Sequence, residues 1–153
     1  MKNVIRTMAI ALVLAGFVAA AHAQTGKPVT IVDANTVSAA ELAKLPHMTP
    51  DLAKAVIAKR PFKTIKDLDN ALSGLTKEQR TELYGKLFVP INLNTATDEE
   101  ILLIPGVGNR MLREFKEYRP YEALSKFHRE IAKYVDEKEL ARLEQYVSVP
   151  VAK

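Results

Sequence analysis

The chain of 153 residues contains no cysteine. That absence excludes disulfide staples, thiolate metal sites and lipid attachment at a cysteine. Histidine is scarce too, with three in all, at His22, His47 and His128. His128-Arg129-Glu130 falls on a predicted helix whose spacing turns the histidine and the glutamate to different faces. No nucleophile with its base and no metal cage can be assembled from these residues, so the sequence points away from catalysis and calls for no cofactor. A long apolar run is also missing. The stretch 8–21 is short of the roughly 20 residues a spanning helix needs, so no stable membrane anchor is expected. Lys2 and Arg6 precede that stretch and Ala21-His22-Ala23 follows it, the pattern of a cleaved export signal. Residues 1–23 are therefore expected to be removed, which places the mature chain, starting at Gln24, in the periplasm or outside the cell.

A strong excess of positive charge is lacking as well. The formal net charge is +4, from 22 basic and 18 acidic residues. Without Lys2 and Arg6 the balance becomes 20 against 18, a net of +2. A strong electrostatic footprint for nucleic acid would be a markedly basic domain, so any phosphate contact has to be local.

What the sequence does have is an internal repeat. Val32-Asp33-Ala34-Asn35-Thr36 is matched by Ile91-Asn92-Leu93-Asn94-Thr95, and the frames agree again at Pro46/Pro105, Arg60/Arg119 and Pro61/Pro120. Each copy shows a capping box, Ser38-x-x-Glu41 or Thr97-x-x-Glu100, and so predicts a helix start at the same place. Leu42 and Leu45, or Ile101 and Ile104, form the inner face of that helix, which stops at Pro46 or Pro105. Second helices are predicted over 50–59 and 109–118, third helices over 64–71 and 124–133. Fourth helices open at Thr76-x-x-Gln79 and Asp136-x-x-Glu139. The pieces 29–32 and 88–93 read as connectors. The expectation is an all-α fold of eight short helices: a linker over 24–32, a first unit over 33–90 and a second over 91–150. A unit of about 60 residues is marginal alone, so the two are expected to pack together.

Asn94-Thr95-Ala96, Glu100-Ile101, Ile104-Pro105-Gly106-Val107-Gly108 and Arg119-Pro120-Tyr121 together resemble the helix-hairpin-helix unit of ComEA-type DNA receptors, the exported proteins of bacterial DNA uptake. The first copy, with Leu45-Pro46 and Arg60-Pro61-Phe62-Lys63, is similar but lacks the glycines. The resemblance implies two tandem helix-hairpin-helix pair domains of about four short helices each. It also implies double-stranded DNA as partner, held by its backbone. A second likeness runs through Leu45-Pro46-His47-Met48, Pro61-Phe62-Lys63 and the stretch from Ser73 through Gly74, Leu75 and Thr76 to Gln79, which is similar to PsbU-type extrinsic photosystem subunits. That family is implied to use the fold for docking on protein. A protein partner in the periplasm, without nucleic acid, is thus the alternative, and fold alone does not choose between the two. A small-molecule substrate is expected on neither reading.

The candidate DNA site is the second copy's hairpin. Gly106, Val107, Gly108 and Asn109 would present backbone amides at a helix N-terminus, and Arg110 and Arg113 would add charge. Asp98, Glu99, Glu100, Glu114 and Glu117 flank it with negative charge. Gly74, Thr76 and Lys77 form a secondary candidate. The matching first-copy turn, His47-Met48-Thr49-Pro50-Asp51, reads as structural: Thr49 and Pro50 suit a helix start and Asp51 would repel phosphate. Ala132-Lys133-Tyr134-Val135-Asp136 has no glycine and is closed by a carboxylate. Lys54, Lys59, Arg60, Lys63 and Lys66 form a basic stripe, either a solvated face or a track for phosphates.

Overall fold

The computed structural model describes residues 31–150. The expected export signal over 1–23 and most of the expected linker lie outside them. Two halves follow one another with the same order of elements. The first runs β1 (Val32–Asp33), α1 (Ala39–Leu42), α2 (Pro50–Ala58), α3 (Ile65–Ala71), α4 (Lys77–Tyr84) and β2 (Leu87–Phe88). The second runs β3 (Ile91–Asn92), α5 (Asp98–Leu102), α6 (Asn109–Glu117), α7 (Leu124–Ile131), α8 (Glu137–Leu143), a 3-10 turn (Glu144–Tyr146) and β4 (Val147–Ser148). The protein is mostly helical, as its sequence predicts, and among the described residues no helix is long and apolar enough to cross a membrane.

The caps that mark the helix starts are in place. Ser38 with Glu41, Thr97 with Glu100 and Thr76 with Gln79 all form reciprocal boxes. Thr64 with Asp67 forms a fourth. Asp136 caps the Glu139 amide at 2.8 Å, but the Glu139 carboxylate turns to Arg142 instead of closing the box.

The pieces expected to be plain connectors take part in short strand pairs. Val32 and Asp33 lie parallel to Leu87 and Phe88, and Ile91 and Asn92 lie parallel to Val147 and Ser148. Ile31, Leu87, Phe88, Ile91 and Val147 are buried, and backbone groups taken out of water need partners. A two-residue strand pair supplies them and ties the start of each half to its end. Ile31 and Val32, at the end of the expected linker, are thereby part of the first half.

The Arg-Pro motifs do more than stop a helix. Both Arg60-Pro61 and Arg119-Pro120 are cis, and the residue after each is clasped by an asparagine. Asn35 donates to the Phe62 carbonyl at 3.0 Å and accepts from its amide at 2.7 Å; Asn94 does the same to Tyr121 at 2.8 and 2.6 Å. The arginines donate across to the loop ahead of the first helix of their half. Arg60 reaches the Val37 carbonyl at 2.8 Å, and Arg119 reaches those of Leu93 and Ala96 at 2.6 and 2.7 Å.

One apolar core runs through both halves. Leu42, Val56, Leu68 and Leu83 centre it in the first half and Ile101, Phe115, Phe127 and Leu143 in the second. Tyr84, Phe88 and Tyr146 join them. The Phe88 ring sits edge-on to Tyr146 at 4.8 Å and to Tyr84 at 5.7 Å, and the Tyr146 hydroxyl donates to the Tyr84 carbonyl at 3.0 Å. Such edge-to-face rings add to what their burial contributes. Lys66 and Glu99 pair across the junction at 2.8 Å.

Candidate nucleic-acid interface

The second-half hairpin is built from a left-handed glycine. Gly106 has φ +81°, a conformation that L side chains disfavour. It lets the Val107 amide reach back to the Ile104 carbonyl at 3.0 Å and drops the Val107 side chain into the core. Of the predicted site residues, Val107 alone is buried; Gly106, Gly108, Asn109, Arg110 and Arg113 are exposed. Gly108 is different in kind from Gly106. Its φ is an ordinary −112° and a Cβ there would meet nothing within 4 Å. What glycine leaves at this position is a bare helix start. No side chain caps α6 and no acidic residue stands in its first turn. The amides of Gly108, Asn109, Arg110 and Met111 precede the first intrahelical bond, from the Leu112 amide to the Gly108 carbonyl, and so face outward with the positive end of the helix dipole. Arg110 and Arg113 stand one turn apart on that helix, and among the described residues neither guanidinium has an ion-pair partner.

Sequence reasoning missed a further cation at this turn. The Arg142 Nη2 lies 3.4 Å from where a Gly106 Cβ would stand. Arg142 is held there by a two-pronged bond to Glu139, at 2.7 and 2.6 Å, and by the Tyr146 ring, 5.4 Å away. The repeat carried a faint signal of it, since counting from the fourth-helix caps, Thr76 and Asp136, sets Arg142 opposite Glu82.

The first-half turn keeps the backbone shape without the glycine. His47 occupies the Gly106 place with φ +61°, and the Met48 amide reaches the Leu45 carbonyl at 3.3 Å. Met48 is buried as Val107 is. What differs is access. Thr49 caps the Leu52 amide at 3.2 Å, Asp51 stands in the first turn of α2, and His47 Nε2 lies 2.8 Å from the Glu82 carboxylate. The first hairpin is closed as the residues predict, but it has lost open amides and not the turn itself.

The secondary candidate divides. Gly74 is exposed with open space around it, while the Thr76 hydroxyl and the amides beside it are taken up in the box with Gln79. Glu78, in the same first turn, is held below the usual carboxylate range by its own backbone amide and then by Thr76. Lys77 remains, exposed and without an ion pair among the described residues. The basic stripe is likewise thinned: Arg60 is bonded to Val37 and Lys66 to Glu99, which leaves Lys54, Lys59 and Lys63 facing solvent. Several acids that flank the Gly106 hairpin in sequence are also occupied. Asp98 pairs with Lys116 at 2.6 Å, Glu99 with Lys66, and Glu100 is in its capping box. Among the described residues no group of three or more His, Asp or Glu side chains is placed to hold a metal ion.

A cleft of about 230 Å³ lies between the halves, with Lys77, Arg80 and Thr81 of α4 on one side and Gly106 and Val107 on the other. Lys77, the surviving part of the secondary candidate, and the Gly106-Val107 end of the main one thus face each other across the junction, while Gly108, Asn109, Arg110 and Arg113 do not line the cleft.

A family model described as helix-hairpin-helix motif matches residues 28–88. Over those residues the chain is similar to that motif, which is generally associated with nucleic-acid binding. Comparison with curated proteins and with solved structures gives no match. The family match covers the half whose hairpin is closed; the open Gly106 hairpin lies beyond it.

Proposed function

We propose that this is an exported protein of ComEA type that binds double-stranded DNA through its phosphate backbone, without sequence preference, in DNA uptake, and that it arose by tandem duplication of one helix-hairpin-helix unit. One observation carries the DNA reading: the bare N-terminus of α6. Its outward amides, beside Arg110 and Arg113, which have no ion-pair partner among the described residues, make an anion seat that needs no rearrangement. Backbone contacts position a protein on a duplex but read no bases. Affinity in the non-specific range of about 10⁻⁴ to 10⁻⁶ M, falling steeply with salt, is expected. Export rests on the pattern of Lys2, Arg6 and Ala21-His22-Ala23. No catalytic step is part of the proposal.

The test is fluorescence anisotropy with a labelled duplex at low salt, on the wild-type protein and on Gly106→Glu combined with Arg110→Ala. Absence of binding by the wild type, or equal binding by both, refutes the proposal. The capped, acid-bearing start of α2 favours a second reading, a protein-docking role in the periplasm. A stable protein partner co-purifying with a chain that ignores DNA would establish it.

A further inference from the structure

In a tandem protein the natural expectation is that each half uses its own two hairpins. The structure closes that route in both halves. In the first, the 45–49 turn is sealed by Thr49, Asp51 and the His47–Glu82 contact. In the second, the hairpin before α8 is capped by the Asp136 carboxylate, and Lys133 is drawn onto Glu130 and the Tyr118 ring. What stays open is the Gly106 turn of one half and Lys77 of the other, and these line the same cleft.

The chemistry of that cleft suits a single phosphate. Lys77, Arg80 and Thr81 fall at i, i+3 and i+4 of α4 and so share a face. Asp69 also lines the cleft, but Arg80 Nε holds it at 3.0 Å and the Tyr84 hydroxyl donates to it at 2.6 Å. With Asp69 answered by Arg80, the unbalanced charge is that of Lys77. Arg80 is also fixed by its bond to the Leu75 carbonyl at 2.7 Å, which leaves it as wall and the exposed Lys77 as the ligand. The opposite wall contributes no carboxylate; it is the segment 102–107, ending on the left-handed Gly106. The capping box has already taken amides of α4, so Lys77 acts there as a point charge.

We propose that this cleft seats a backbone phosphate of duplex DNA between Lys77 and the Gly106 turn. The pair of hairpins that grips the duplex is then one from each half, and the packing of the halves is part of the binding site. This rests on the DNA-binding reading and adds to it a residue, Lys77, in the half whose first hairpin is closed.

The experiment is a salt titration of duplex binding by anisotropy, on full-length wild type, Lys77→Ala and Lys86→Ala. Lys86 is exposed two residues past the far end of α4 and serves as the control for general loss of charge. Loss of one phosphate contact lowers the slope of log K against log salt by about 0.9, which is roughly tenfold in affinity at 50 mM salt. Lys77→Ala is expected to show that loss and Lys86→Ala to follow the wild type. Alanine suits the first turn of a helix, and circular dichroism melts will show whether both variants keep the fold. If the wild type binds and the two variants behave alike, the shared seat is wrong while DNA binding stands. If the wild type does not bind, both are wrong.

Discussion

Replacing Gly108 with serine is expected to make the protein more stable and a poorer DNA binder. The backbone at Gly108, φ −112° and ψ −176°, already has the extended form of a helix cap. A Cβ there meets nothing within 4 Å. A serine hydroxyl would accept from the Met111 amide, as Thr49 does from Leu52 in the first half. Serine exceeds glycine as a cap by only a few tenths of a kcal/mol, which corresponds to a rise of about 1 °C in Tm for a chain of this size. The phosphate then competes with that hydroxyl for an amide. One charge-assisted bond is worth about 1.5 kcal/mol or more, so affinity should fall roughly tenfold. Gly108→Asp should fall further, because its carboxylate repels phosphate as well as capping the helix. Thermal melts read the first effect and anisotropy at fixed salt the second. If Gly108→Ser is stabilised yet binds DNA like the wild type, the amides of α6 are not the phosphate ligands.

Other perturbations separate turn shape, framework and charge. Gly106→Ala should cost about 1 kcal/mol for its left-handed backbone, whereas Gly108→Ala should stay within about 0.5 kcal/mol; equal losses in urea melts would contradict the φ assignment. Asn94→Ala strips both polar groups of the buried Tyr121 peptide of their partner and should cost about 2–3 kcal/mol, with Asn35→Ala doing the same at Phe62; a negligible change in either urea midpoint would contradict the clasp. The Glu130 carboxyl is held below its ordinary value of 4.5 by Lys133 first and Arg129 second. Its contribution to stability is therefore complete above about pH 4.5 and is lost as pH falls through the lowered native value. Urea midpoints followed from pH 6 into acid should drop less steeply in Glu130→Gln than in the wild type, and parallel curves would rule that contribution out.

Much of the fold was legible because capping chemistry is local. Ser38, Thr76 and Thr97 announce their helices through a partner three residues away, and the repeated Arg-Pro marks where the second helices end. The strand pairs were not legible, since two residues carry no alternation to read. Arg60 looked like one more surface cation; only the fold brings the Val37 carbonyl to it. His47 gave no sign of its left-handed backbone, because a non-glycine residue at positive φ is imposed by the turn around it. The Gly106 hairpin was visible from its glycines. Its neighbours Arg142 and Lys77 come from α8 and α4, and their approach is set by how the halves pack.

The paired short strands give the protein a particular mechanical character. Ile31 donates to the Gln145 side chain at 3.3 Å, and Ser148 accepts from the Leu93 amide at 3.0 Å, so the chain comes into the fold and leaves it at neighbouring points beside the junction. Tension applied between the two ends would peel β1 from β2 and β4 from β3 without first stretching any helix. Tension from a duplex held at the Gly106 turn would take another path, through the packed core. A pull along DNA and a pull along the polypeptide would therefore meet different resistance in the same small molecule.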